Sequence, residues 1–316
     1  MKTKNLRKLL PSLLLMGALV GCTEQASFDH AQAIQAYTRD TTSGTRDGFM
    51  TKIGIEKAKN DDSLFKAKVQ TVSSNGDMIG KIAADEYGIG YFSFSSVPDA
   101  EKQGVKVLNF EGVKATEDAI LDGSYKLSRN FNYCTQKQED EDATKWTIIS
   151  AFIAFMTTSE GIADIVGADG IVKVPSDVKK WDDIKGNYPG IEDDHSKITI
   201  RFGGSTSCEK VAKALSADFS KRAGNFVAEH NHKGSGDAYK GTQGANRDFD
   251  VAYASREFSS SEPLAEGTFG KVCTDGIVVG VNQKMIWRIS LPIKQKISIA
   301  RMAPSQLGLT SNNLLF

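Results

Sequence analysis

Thr38-Arg39-Asp40-Thr41-Thr42-Ser43-Gly44-Thr45-Arg46-Asp47, taken together with Gly203-Gly204-Ser205-Thr206-Ser207, decides how this chain is read. Each stretch packs glycine and small hydroxyl residues just ahead of a segment with helical periodicity. A helix N-terminus offers unpaired backbone N–H groups and a partial positive charge, and glycine lets an anion approach that backbone closely. Ser and Thr hydroxyls add donors that rotate to suit a tetrahedral oxyanion, and Arg39 supplies a charged fork. Two such sites on one chain imply one anion clamped between two lobes, which is the design of a binding protein rather than an enzyme.

Working outward, Ala33 to Tyr37 reads as a strand feeding the first loop and Asp47 to Lys57 as the helix after it. Strand-like runs at 68–72, 88–94 and 105–110 alternate with helical ones at 75–85 and 116–122. That alternation predicts an α/β lobe with a largely parallel sheet. The charged run 135–144 reads as an exposed connection, 146–166 as strongly helical and 173–197, with its prolines and charges, as a surface linker. A strand at 198–202 then enters the Gly-Ser-Thr-Ser loop, a helix follows at 209–223, and further strands fall at 226–230, 249–254 and 276–282.

The chain opens with Lys2, Lys4, Arg7 and Lys8 and an apolar run from Leu9 to Val20, the pattern of an export signal too short to span a bilayer comfortably. It ends in Leu19-Val20-Gly21-Cys22, which looks like a bacterial lipobox and implies cleavage before Cys22 and lipid on its thiol. Lys and Arg total 39 and so do Asp and Glu. A zero formal charge gives no argument for nucleic acid, so an anion site must rest on local geometry. Beyond Cys22 the cysteines are Cys134, Cys208 and Cys273, which fit neither a disulfide framework nor a metal site. Cys208, at a helix start, could carry a lowered pKa, but small apolar filler is the stronger reading.

These motifs resemble the phosphate-binding proteins that feed phosphate ABC transporters. Ser43-Gly44-Thr45-Arg46-Asp47-Gly48-Phe49 looks like their second-lobe anion loop, and Gly123-Ser124-Tyr125-Lys126-Leu127-Ser128-Arg129 like the segment leading out of that lobe. Gly204-Ser205-Thr206-Ser207, Gly234-Ser235-Gly236 and Ala254-Ser255-Arg256-Glu257 are similar to successive first-lobe loops, and Asp275 to Val279 with Val281-Asn282 to the strand near the crossover. The resemblance spans roughly residues 34 to 283 and rests on the set of motifs together. It implies a two-lobed α/β fold of the type II periplasmic-binding-protein (Venus flytrap) kind.

The family normally places the Gly-Ser-Thr-Ser lobe first, whereas here the other lobe leads, as a circular permutation would produce. The expected organisation is a leader with lipidated Cys22 (1–22), a tether (23–33), a lobe with the Ser-Gly-Thr-Arg loop (34–140) and a lobe with the Gly-Ser-Thr-Ser loop (141–316), including a linker at 172–197. A single covalent crossover, near Cys134 to Lys145, is expected. The tail from 285 to 316 departs from the family. Reading its degenerate codons one base earlier from Lys284 allows Asn-Asp-Leu-Ala-Asn-Leu-Thr, so a frameshift or truncation is expected there.

The resemblance assigns phosphate to Arg39, Ser43, Gly44 and Thr45 from one lobe and Thr206, Ser207 and Ser235 from the other. Many family members have an aspartate where this chain has Arg256; that aspartate accepts the proton that phosphate carries and sulfate lacks. Arg256 would strengthen oxyanion affinity in general, and a replacement acceptor is either absent or one of Asp47, Asp237 and Glu257, with Asp47 preferred. For one loop alone, helix capping by Ser or Thr is the stronger reading, and the combined set reverses it. His230 and His232 share a strand face without a third ligand, so no metal is expected, and no cofactor. No nucleophile–base–orienter set is legible. The expected protein is a monomeric, lipid-anchored extracytoplasmic receptor that hands phosphate to an ABC permease. Rival readings are a receptor for sulfate, molybdate or a phosphorylated metabolite, a surface sensor or adhesion lipoprotein, and a defective product of a frameshifted gene.

Overall fold

A computed structural model describes residues 33–65 and 68–285. The export signal, Cys22 and the tail beyond Met285 lie outside the described residues, and with them the lipidation and frameshift expectations. Among the described residues nine strands form one curved sheet: β1 (Gln35–Arg39), β2 (Gln70–Val72), β3 (Gly88–Ser93), β4 (Val105–Val107), β5 (Ser128–Thr135), β6 (Thr199–Gly204), β7 (Val227–His232), β8 (Val251–Ala254) and β9 (Phe269–Asn282). Their order is β2-β1-β3-β9-β5-β8-β6-β7, with β4 also on β9.

Two separate hydrophobic cores lie along this sheet. One gathers Phe49, Met78, Ile82, Phe92, Tyr125 and Leu127 with Ile277 to Val281. The other gathers Phe131, Phe152, Phe155, Trp181, Phe202, Phe219 and Tyr253 with Cys273. Between Leu127 and Phe131, and again between Cys273 and Ile277, the backbone passes from one core to the other. The chain therefore crosses twice, on β5 and on β9, and the expectation of a single crossover is wrong. The physical reason lies in β9. It is 14 residues long, and its first half pairs with β5 while its second half pairs with β3 and β4. Read from sequence as only 276–282, it appeared confined to one lobe.

The sheet is parallel within each lobe, where β1 pairs with β2 and β3, and β6 with β7 and β8. It is antiparallel wherever β5 or β9 takes part. Strands returning through a hinge must run opposite to each other, so the expected parallel order holds only away from the crossing.

The segment 172–197 runs over the second lobe but is fastened to it. Trp181, Ile191 and His195 are buried, and Trp181 packs against Phe155 and Phe219. Among the described residues no single helix is long and apolar enough to cross a membrane; the pair Ala143–Phe155 and Ser159–Gly167, bent by 74°, puts Ile148, Phe152, Phe155 and Ile165 into the second core.

Candidate oxyanion site between the lobes

The Ser-Gly-Thr-Arg loop leaves the end of β1 and opens the helix Gly44–Lys52, whose N-cap is Ser43; its Oγ accepts from the Arg46 N–H at 3.3 Å. Arg46 is wholly buried and acts as a brace. It donates to the Ala58 carbonyl (2.6 and 3.2 Å) and to the Arg39 carbonyl (2.9 Å), and it pairs with Asp62. Tyr91 holds the strand end from the other side, stacked on Phe49 and hydrogen-bonded to Thr38 and the Arg39 N–H.

So fixed, Arg39 reaches across the gap between the cores. Its Nη1 donates to Asn75 Oδ1 (3.2 Å), and its Nη2 to the Ser73 carbonyl (2.8 Å) and to Thr206 Oγ1 of the other lobe (3.0 Å). All three partners are neutral, and among the described residues Arg39 forms no ion pair. Its Nε–H is buried with no partner. Burial pulls the Arg39 pKa below its ordinary value and Arg129 adds to that, while the carboxylates of Asp40 and Asp77 oppose it; a guanidinium stays charged in proteins. A buried cation with no carboxylate in direct contact and an idle N–H calls for an anion.

A second contact crosses the gap beside it. Thr45 Oγ1 and Ser207 Oγ lie 2.8 Å apart, Asn75 Nδ2 donates to Ser207 Oγ (3.2 Å), and Arg129 Nη1 donates to Thr45 Oγ1 (3.1 Å). The lobes touch through backbone as well, the Gly236 N–H donating to the Thr42 carbonyl at 3.1 Å. Ser235 and Ser255 face Gly44 so closely that a Cβ there would overlap Ser235 Oγ and come 2.6 Å from Ser255 Oγ. Only glycine fits that approach.

The Gly-Ser-Thr-Ser loop is built differently. Gly204 ends β6 at φ +93°, where a Cβ would overlap the Tyr253 carbonyl oxygen. The Ser205 N–H donates to that same carbonyl. Ser205 Oγ donates to Ser255 Oγ at 2.9 Å and accepts from the Ser207 N–H, and Ser235 Oγ accepts from the Ser255 N–H. Behind the loop, His232 Nδ1 lies 3.2 Å from the Ser205 carbonyl, His230 Nδ1 3.1 Å from His232 Nε2, and Ser216 Oγ 3.0 Å from His230 Nε2. Burial pushes both imidazoles down to about 4. Neutral rings suit this chain, since each must offer one N–H and one lone pair. Cys208, at the start of the following helix, is buried and its thiol is pushed up rather than down, so it is packing filler.

Of the residues read from sequence, Arg39, Gly44, Thr45, Thr206, Ser207 and Ser235 thus converge, with Ser43 serving as the cap beneath them. Arg256 and Asp47 stand beside site residues in the chain but are engaged with other charges. Arg256 makes a two-pronged pair with Glu262 (2.6 and 2.8 Å) and sits 3.5 Å from Asp47, whose carboxylate is also 3.6 Å from Lys59. Sequence reasoning missed Asn75, Ser255, Arg129 and Asp275. Asn75 opens a helix directly after β2, the same strand-to-helix signal as the two loops but without glycine before it.

A model of the PBP superfamily domain matches residues 22–160. The phosphate-binding protein PstS 2 of Streptococcus agalactiae serotype V is 29% identical over 276 residues, 86% of each chain. PstS 2 of Streptococcus pneumoniae serotype 4 is 25% identical over 288 residues, covering 89% of this chain and 90% of that one. The crystal structure of a phosphate ABC transporter phosphate-binding protein from S. pneumoniae superposes with a TM-score of 0.59 at 23% identity, over 88% of this chain and 97% of the other. The chain is thus similar to PstS phosphate-binding proteins along most of its length, and its leading part matches the PBP superfamily domain. Its two lobes, double crossing and facing loops are the α/β periplasmic-binding-protein architecture, and the relatives are substrate-binding proteins rather than enzymes.

Proposed function

We propose that this protein captures inorganic phosphate between its lobes outside the cytoplasmic membrane and delivers it to an ABC permease. The observation that carries this is Arg39: a buried cation with only neutral partners and an idle Nε–H, set among hydroxyls from both lobes. The names of the PstS relatives supply the identity of the anion. Arg39, Thr45, Thr206, Ser207 and Ser235 donate to its oxygens through their side chains, with the backbone N–H of Gly44, over the Ser43 cap, while the Ser207 N–H stays on Ser205 Oγ. The lobes close on the ligand, and the closed form is what the permease reads. A lipid on Cys22 tethers the monomeric receptor. We further propose that the lobe order is a permutation inherited together with these relatives, because an alignment through 86% of both chains leaves no room for the halves to be exchanged between them.

A broader oxyanion specificity is a second reading, favoured by the engagement of Arg256 with Glu262 and Asp47 and by Asp275, whose oxygens are occupied. Equilibrium dialysis with radiolabelled phosphate, competed by sulfate and molybdate, separates the two. Retention displaced only by cold phosphate supports a phosphate receptor. Displacement by all three supports the broad one, and no retention by folded protein contradicts both.

A further inference from the structure

Arg129 and Asp275 face each other in register on β5 and β9, the two strands that cross between the lobes. Arg129 Nε donates to Asp275 Oδ2 at 2.9 Å and Nη2 lies 2.8 Å from the same oxygen, while Nη1 turns away to Thr45 Oγ1. Asp275 is buried and saturated: Ser93 Oγ is 2.9 and 2.8 Å from its two oxygens, and the Ser95 N–H reaches Oδ1 at 3.4 Å. Its remaining role is to offset the Arg129 charge, not to accept a proton from a ligand.

The hydroxyl protons can be counted. Thr45 Oγ1 accepts from Arg129 and Ser207 Oγ accepts from Asn75. The contact between those two oxygens uses one of their two protons and leaves the other free. With an oxyanion between the lobes both protons can turn to it, because each oxygen already accepts a donor from behind. Through Nη1 on Thr45 Oγ1, the Arg129 charge also reaches the site that Arg39 enters.

We propose that Arg129 is a positioning residue of the oxyanion site, acting through Thr45, and that Asp275 sets how much of its charge the site feels. Arg129 thereby links occupancy of the site to the strands that bend when the lobes close. This rests on the oxyanion reading above.

The test is isothermal titration of inorganic phosphate into the full chain in mild detergent, with thermal midpoints recorded in parallel. Asp275→Asn keeps an acceptor for Arg129 but removes the neutralising charge, so phosphate should bind about tenfold more tightly. Arg129→Lys keeps the charge and the pairing with Asp275 but cannot serve both partners, so binding should weaken about tenfold. The double variant Arg129→Met/Asp275→Asn removes the pair without leaving a buried charge and should weaken binding at least as much. Thermal midpoints that shift while every dissociation constant stays at the wild-type value, or weaker binding in Asp275→Asn, would overturn the proposal. Should Asp275→Asn fail to fold, Arg129→Lys decides alone, unchanged affinity overturning it. A wild-type chain that binds no phosphate overturns the parent reading too, whereas a binding wild type with unaffected variants overturns this inference only.

Discussion

The two loops that face each other do the same task with different chemistry. The Ser-Gly-Thr-Arg loop brings charge: Arg39 and Arg46 are both buried beside it, Arg46 spent on backbone carbonyls and Arg39 left with neutral partners. The Gly-Ser-Thr-Ser loop brings no cation to the contact. Its order comes from serines bonded to one another and from a neutral imidazole chain behind Ser205. Charge held in one lobe and hydroxyls in the other imply a sequence of events. Under the proposed function, an anion would meet the charged lobe first, by attraction that acts at a distance, and the second lobe would close over it through short contacts that act only on arrival.

That asymmetry can be broken most severely at Arg39. Arg39→Met should weaken phosphate binding about 100-fold or more, the worth of two charge-assisted hydrogen bonds at about 1.5 kcal/mol each, by calorimetry. A loss no larger than that of a single hydroxyl would put the charge elsewhere. Gly44→Ala tests closure instead of charge. The added Cβ overlaps Ser235 Oγ, so small-angle scattering should show phosphate no longer compacting the molecule, with affinity down about tenfold. Ser207→Ala removes one hydroxyl from the second lobe and should cost about 1–2 kcal/mol, below the Arg39 effect.

The imidazole chain sharpens the comparison through pH. Both histidines titrate near 6.5 when unfolded and at about 4 in the fold. A base held neutral by the fold loses stability as pH falls, since the unfolded chain takes up protons first. The stability that neutral His230 and His232 confer should be present above about 6.5 and decline between about 6.5 and about 4. Thermal midpoints of wild type and a His230→Gln/His232→Gln variant should differ in slope across that window, and parallel curves would remove the imidazoles from the account. Smallest of all, Arg256→Ala should change phosphate affinity less than about threefold, because its guanidinium is engaged by Glu262. A loss as large as that of Ser207→Ala would return Arg256 to the site.

Much of this was legible in the sequence because helix starts and glycine loops carry local signals. Arg39, Ser43 to Thr45 and Thr206-Ser207 stand at strand-to-helix turns, where short-range pattern and short-range physics coincide. The double crossing was not legible. β9 passes from one lobe to the other, and nothing in Phe269 to Asn282 marks where one core ends and the next begins. Asn75 and the Arg129–Asp275 pair were hidden for a related reason: their partners lie far along the chain, Ser207 132 positions after Asn75 and Asp275 146 positions after Arg129. The fate of Arg256 turned on Glu262, six residues on, where no helix or strand period links the two. The buried Trp181 shows how a polar, proline-bearing stretch hides one anchoring aromatic.

The central claim is that one tetrahedral oxyanion sits between the two lobes, against Arg39. Crystals grown with arsenate, a heavier tetrahedral stand-in for phosphate, would locate it by anomalous scattering from arsenic. The account predicts a single strong arsenic peak within hydrogen-bonding distance, through its oxygens, of Arg39, Thr45, Thr206 and Ser207. A well-ordered, closed protein with the peak at another place, or with none, would contradict it.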